Sequence, residues 1–267
     1  MGGKTVRWTR EHLLIALNLY CKLPFGKLHK TNPVIVQVAK RMGRTSSSLA
    51  MKLCNFASLD PVQQARGIKG LAGASKQDRA VWAEFAERGD VLGPESEQLV
   101  HDLFTPDQTR EVDLVARDKV KLVPAATMPT GPTESIAVVK TRRGQHFFRQ
   151  AILTAYGVRC CISGVNVPEL LVASHIKPWQ SFPSERLNLR NGLCLSSIHD
   201  SAFDEGFITL DAGLEVVLSK HLKAYLPQQA LEQNFVAFEK KRIRLPEKLA
   251  EPDPDFLDYH RKHIFKG

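Results

Sequence analysis

The sequence predicts an α+β chain, with a helical N-terminal part ahead of a C-terminal part built from short strands and helices. Three observations predict it. Apolar residues recur at helical spacing before residue 60. Beyond Gly157 the chain breaks into short β-type pieces bounded by turn residues. Between them the run KLVPAATMPTGPTES, 121–135, is rich in Pro, Thr and Ala and reads as a linker. At 267 residues and 43% apolar, the chain is long enough for two modest domains with buried cores.

Thr9 can cap a first helix that carries Leu13, Leu14, Leu17 and Tyr20 on one side. Asn32 followed by Pro33 opens a second, with Ile35, Val38, Ala39 and Met42, and Gly43 ends it. Thr45 caps a third, in which Leu49, Leu53 and Phe56 form one stripe, and Pro61 closes that unit. A further helix covers 76–88 with Trp82 and Phe85 inward; the pattern over 89–135 is weaker. Helical spacing resumes near 144–156. After it come VRCCISG, LLVASHIKPW and NGLCLS as strand-like pieces, IHDSAFDEG as a short helix and FITLD as a strand. Pro227 opens a helix through about 239, and a terminal helix near 254–264 packs back on the module.

Charge is unevenly spread. The chain carries +9, yet residues 1–76 hold thirteen Lys/Arg against only Glu11 and Asp60, a local +11. Such an excess favours a polyanionic partner, because each neutralised phosphate releases counterions; a solubilising surface would show the same count. The basic stretch has no aromatic amphipathic helix to anchor it to a membrane, and no apolar run of about 18 residues exists to span one. Five irregularly spaced cysteines read as reduced thiols, which suits the cytoplasm.

The chemistry concentrates between Cys161 and Asp211. There ASHIKPW, RLNLRNG, IHDSAFD and GFITLD follow one another over some fifty residues. In this order and spacing the segment resembles the HNH endonuclease family, in particular its restriction and McrA-like branch. The resemblance implies a ββα-metal module, core 158–212, in which a hairpin and a helix grip one divalent ion against a DNA backbone. His175 on a rigid strand suits a general base near neutral pH, the role of the matching family residue. Asn191 matches the middle Asn, which pins the hairpin loop; Asn-Gly is also an ordinary turn. The family's metal-ligand position nine residues later is Asp200, with His199 just before it and Asp204 one turn on. Asp200 and Asp204 share a helical face, and two hard oxygens there suit Mg²⁺ or Mn²⁺.

Two departures from the family pattern stand out. Ser174 occupies the place just before the catalytic His where many members carry an acid or His that binds metal. Gly164 and Ser197 stand where the partner thiols of a structural zinc would be needed, so no zinc is expected. Lys177, Arg186 and Arg190 flank the motif and are candidates for phosphate contact.

Residues 34–56 resemble a helix-turn-helix, with Ala39, Gly43 and Leu49 at the spacing of two closely crossing helices; an ordinary helical bundle shares that spacing. Read as a DNA reader, its second helix presents Ser48, Lys52 and Asn55, flanked by Arg41 and Arg44. The expected organisation is therefore a basic helical DNA-binding domain over 1–95, a connector over 96–140 and a nuclease domain over 141–267. The resulting expectation is a metal-dependent endonuclease acting on double-stranded DNA, with a homodimer compatible with a double-strand cut. Restriction or defence is the family's common setting. The alternatives are a non-catalytic DNA-binding regulator on a vestigial HNH fold, and a structure-specific or non-specific nuclease.

Overall fold

The computed structural model describes residues 7–68, 71, 73–107, 110–114, 119–124, 136–247 and 250–267. It divides into two compact units, Met1–Gln150 and Ala151–Gly267. Among the described residues no helix is long and apolar enough to cross a membrane.

The first unit is built on helices whose ends are written in the sequence. Helix α1 (Arg10–Lys22) starts at Thr9, whose hydroxyl accepts the His12 N–H, and nearly all of its later residues are buried. Helix α2 (Pro33–Arg41) is capped by Asn32 with Pro at its first position. It stops where Gly43 takes φ +66° and the N–H groups of Gly43 and Arg44 reach back to Lys40 and Ala39. Helix α3 (Ser46–Leu59) is capped by Thr45 and buries Leu49, Leu53 and Phe56.

Pro61 does not close this unit. It opens α4 (Pro61–Ala65), because Asp60 caps the turn and a first-position proline has no N–H to lose. Helix α5 (Lys76–Phe104) runs past residue 88, bending at Arg88, which has φ −135° and ψ 43°. Its second half buries Leu92 and Val100 but also Ser96, Glu97 and His101, so the inward stripe is half polar and its periodicity is masked. The expected break at residue 95 falls within this helix.

Strands β1 (Arg110–Asp113) and β2 (Lys121–Pro124) pair antiparallel, so the first four residues of the expected linker are strand; 125–135 lie outside the described residues. Helix α6 (Ile136–Ala155) begins earlier than its pattern indicated.

In the second unit β3 (Leu171–His175) pairs antiparallel with β4 (Gly192–Ser196), with Ser174 opposite Leu193 and His175 opposite Gly192. Helix α7 (Ser197–Asp204) follows β4 directly and completes a ββα unit. Strand β5 (Ile208–Leu210) pairs with β6 (Val216–Leu218), which the sequence pattern did not single out. Short helices α8 (Lys220–Lys223) and α9 (Gln229–Asn234) follow. The helix expected to run to 239 ends at Asn234, and a single 3₁₀ turn covers Val236–Phe238.

Helix α10 (Pro254–His263), capped by Asp253, returns to the module. His260 stacks on Phe203 at 3.7 Å, its Nε2 hydrogen-bonded to the Phe203 carbonyl and its Nδ1 to Thr209. Gly206 has φ +71°, and a Cβ there would strike the carbonyl of Ile264, while the Lys266 N–H donates to Gly206 O. The end of α7 and the C-terminal segment are therefore clamped together.

Candidate active site

His175 ends β3 half-buried. Its Nε2 is 2.9 Å from the Arg186 carbonyl, and the ring meets Trp179 edge-on at 5.2 Å. A carbonyl accepts only, so the ring proton sits on Nε2 and Nδ1 is the basic atom of the neutral imidazole. Burial lowers the His175 pKa below the usual histidine value, and the Arg186 carbonyl only partly opposes this. The imidazole is thus neutral at neutral pH.

Asn191 is buried and closes the loop that follows His175. Its Oδ1 accepts the Lys177 N–H at 2.8 Å; its Nδ2 donates to the Lys177 and Glu185 carbonyls at 3.2 and 3.1 Å. The Ile176 N–H reaches the Asn191 carbonyl at 3.0 Å. The amide therefore engages both backbone groups of a residue two places beyond His175.

Asp200 and Asp204 lie one turn apart on α7. Burial pushes the Asp200 carboxyl up, and the facing Ser174 hydroxyl works against that. Asp204 is on the exposed side of the helix but crowded by protein atoms. Burial first, then the charges of Asp200 and Glu205, raise it to about 6. Two carboxylates that repel each other favour a shared cation.

Ser174 is 3% exposed, and its hydroxyl has no aligned hydrogen-bond partner. A buried oxygen without full hydrogen-bond geometry facing Asp200, with Asp204 one turn on, is a donor set that fits a hard divalent cation.

His199 is a correction. It is 1% exposed, with Nδ1 2.7 Å from the Ser196 hydroxyl and Nε2 2.8 Å from the Asn234 carbonyl. Phe235 and Phe238 pack edge-on against it. Both nitrogens are engaged, so neither a ligand nor a catalytic role fits. Its partner, the Asn234 carbonyl, lies where α9 ends. Beside the His199 ring, burial pushes the Cys160 thiol up, but hydrogen bonds with His199 and Ser163 outweigh that and hold it at about 6. Cys161 and Cys194 are buried, and the Cys161 N–H donates to the Cys194 carbonyl at 2.7 Å.

The flanking cations are also committed. The Lys177 ammonium sits over the rings of Phe182, Phe256 and Tyr259 at 4.9, 4.5 and 5.5 Å. Arg190 pairs with Asp253 at 2.8 Å. In this structure α10 and its cap engage both, although Arg190 keeps 46% of its side chain exposed. Arg186 stacks on Trp179 and donates from Nε to the Trp179 carbonyl.

In the first unit the expected reading face turns partly inward. Lys52, 7% exposed, grips both Asp78 oxygens at 2.8 and 3.0 Å. Asn55, also buried, donates to Asp78 at 3.0 Å and to the Gly73 carbonyl at 3.4 Å. These two are corrected from DNA contacts to buried structural groups, because Asp78 draws them inward. Arg44 lies over the Trp8 ring at 4.0 Å and donates to the Arg7 carbonyl. Arg41 is exposed, resting 5.4 Å from the Phe104 ring, and Ser48 is half-buried in the first turn of α3.

One other cluster among the described residues gathers potential ligands: Glu97, Glu111 and His146, with ligand atoms within 4.8 Å of one another. It is already neutralised. Glu97 pairs with Lys22 and His146, and Glu111 with Arg142 and Arg143. Burial opposes Glu97 ionisation, but Lys22 and His146 outweigh it and hold the carboxyl far below the ordinary range. Three buried cations already face two carboxylates, so a metal ion would meet net repulsion.

Residues 160–211 match the family model described as HNH endonuclease. The matched segment holds β3, β4, α7 and β5, with His175, Asn191, Asp200 and Asp204 inside it. The C-terminal half thus carries an HNH domain, which supports nuclease activity on nucleic acid; nucleases of this kind generally use a divalent metal. No curated protein matches the chain.

Proposed function

We propose that this protein is a metal-dependent endonuclease that hydrolyses phosphodiester bonds of double-stranded DNA, with His175 as general base. The carrying observation is that Asp200 lies against Ser174, the neighbour of a neutral, loop-pinned His175. Adjacent strand residues send their side chains to opposite faces, yet their Cα atoms are only about 3.8 Å apart. In this reading the phosphate lies over the end of the strand, where His175 leaves the regular alternation as the last residue of β3.

His175 Nδ1 takes the proton of the attacking water, and Nε2 stays tied to the Arg186 carbonyl, which keeps the ring in one tautomer. Asn191 holds the loop behind the ring in register. Asp200 and Asp204 would hold a divalent ion, Mg²⁺ or Mn²⁺, which supplies charge stabilisation at the phosphate when bound. The products expected from the family resemblance are a 5′-phosphate and a 3′-hydroxyl. Phosphate contacts from the first unit fall to exposed cations such as Lys40 and Arg41. A cytoplasmic restriction or defence enzyme, paired as a homodimer for double-strand cuts, is the setting that suits this reading.

Purified protein should nick supercoiled plasmid with Mg²⁺ or Mn²⁺, and EDTA should stop it. Wild-type cleavage by the His175→Ala protein would defeat the mechanism. Tight DNA binding with no cleavage under any divalent ion would favour the non-catalytic regulator.

A further inference from the structure

The mechanism above leaves Ser174 without a task. Its hydroxyl is buried and lacks an aligned partner, a costly arrangement in a folded domain. The hairpin fixes where it points. Ser174 stands opposite Leu193 in β4, α7 follows β4 without a connecting loop, and Asp200 is the fourth residue of that helix. Its hydroxyl therefore faces the Asp200 carboxyl, close enough to favour the ionised form without meeting full hydrogen-bond geometry. Asp204, one turn further on, faces Asp200 with like charge.

We infer that Ser174 Oγ is a third protein ligand to the divalent cation held by Asp200 and Asp204, making an all-oxygen centre that fits a hard ion such as Mg²⁺ or Mn²⁺. Coordination satisfies a buried polar atom that the fold leaves without full hydrogen-bond geometry. Two carboxylates and a hydroxyl offer neither nitrogen nor sulfur, the donors that favour zinc. The inference rests on the reading of Asp200 and Asp204 as metal ligands.

Binding of Mn²⁺ alone to the full-length protein, followed by the paramagnetic resonance signal of the free ion, tests it without recourse to cleavage. Ser174→Ala should weaken Mn²⁺ about tenfold. Its metal-free melting temperature should stay close to wild type, because the lost hydroxyl makes no full hydrogen bond in the fold. Ser174→Asp should tighten Mn²⁺ by about tenfold, as a charged oxygen replaces a neutral one. Wild-type Mn²⁺ affinity in Ser174→Ala, with binding abolished in Asp200→Asn, would overturn the role of Ser174 alone. Unchanged affinity in the Asp200→Asn/Asp204→Asn double variant would overturn the metal centre itself. Unchanged or weaker binding by Ser174→Asp also counts against the inference.

Discussion

The two units of this protein treat their charges in opposite ways. All of the net charge belongs to the first: residues 151–267 hold fourteen Lys/Arg and fourteen Asp/Glu, so the +9 of the chain resides in 1–150. Yet the first unit answers many of its cations internally. Arg10 meets Glu84 and Glu95, Lys22 meets Glu97, and Lys52 meets Asp78. Helix α5 supplies all of those acids, so the basic surplus counted over 1–76 is partly offset within it: residues 77–104 hold seven Asp/Glu against two Lys/Arg. The electrically balanced second unit instead leaves Asp200 and Asp204 repelling each other, with the buried Ser174 hydroxyl facing Asp200. A cation count locates an ionic scaffold here; like charges left facing one another mark the proposed site.

Substitutions can break or sharpen this contrast. The largest effect is expected from His175→Ala, which should slow plasmid cleavage by about 10²–10⁴-fold with the circular dichroism spectrum unchanged. Lys52→Ala should instead leave Asp78 buried without its cation and destabilise the first unit by roughly 3–5 kcal/mol in urea unfolding. DNA affinity, measured where the variant is still folded, should stay within about twofold of wild type; loss of DNA binding at full stability would return Lys52 to a reading role.

A third effect is pH-dependent and belongs to the second unit. Burial, with a smaller push from Arg261 and against the Phe203 carbonyl, lowers His260 to about 4. That lies below the unfolded value of about 6.5, so the unfolded chain takes up the proton first. The neutral ring's contribution is whole above pH 6.5 and is lost as pH falls through 4, about 3 kcal/mol across that window. His260→Gln should flatten this part of the stability profile; an unchanged acid limb would show that other groups set it. The smallest effect is expected from Arg41→Ala. It should weaken DNA binding equally across sequences and reduce the salt slope by about one.

Much of this was legible. Thr9, Asn32 and Thr45 each cap the helix they were read to start, because a short polar side chain before an apolar repeat has few other uses. The motif order placed the hairpin and α7. The misreadings share one physical origin, polar residues on buried stripes. Lys52 lies three residues after Leu49 and four before Phe56, so helical arithmetic already put it beside the core, but its partner Asp78 is distant in sequence. His199 shares its stripe with buried Ala202 and Phe203, whereas Asp200 turns about 100° away from it. The second half of α5 carries no legible apolar stripe, because its inward face holds Ser96, Glu97 and His101. Ser174, read as a gap in the motif, gains meaning only from its burial.

The Lys52, Asn55 and Asp78 cluster carries an evolutionary consequence. Asp78 receives both side chains and also caps α5 by accepting the Ser75 N–H. No one of the three can drift to an aliphatic residue without stranding the others. Descendants of this lineage should therefore keep the trio intact or exchange it wholesale, and sequences caught midway should be scarce.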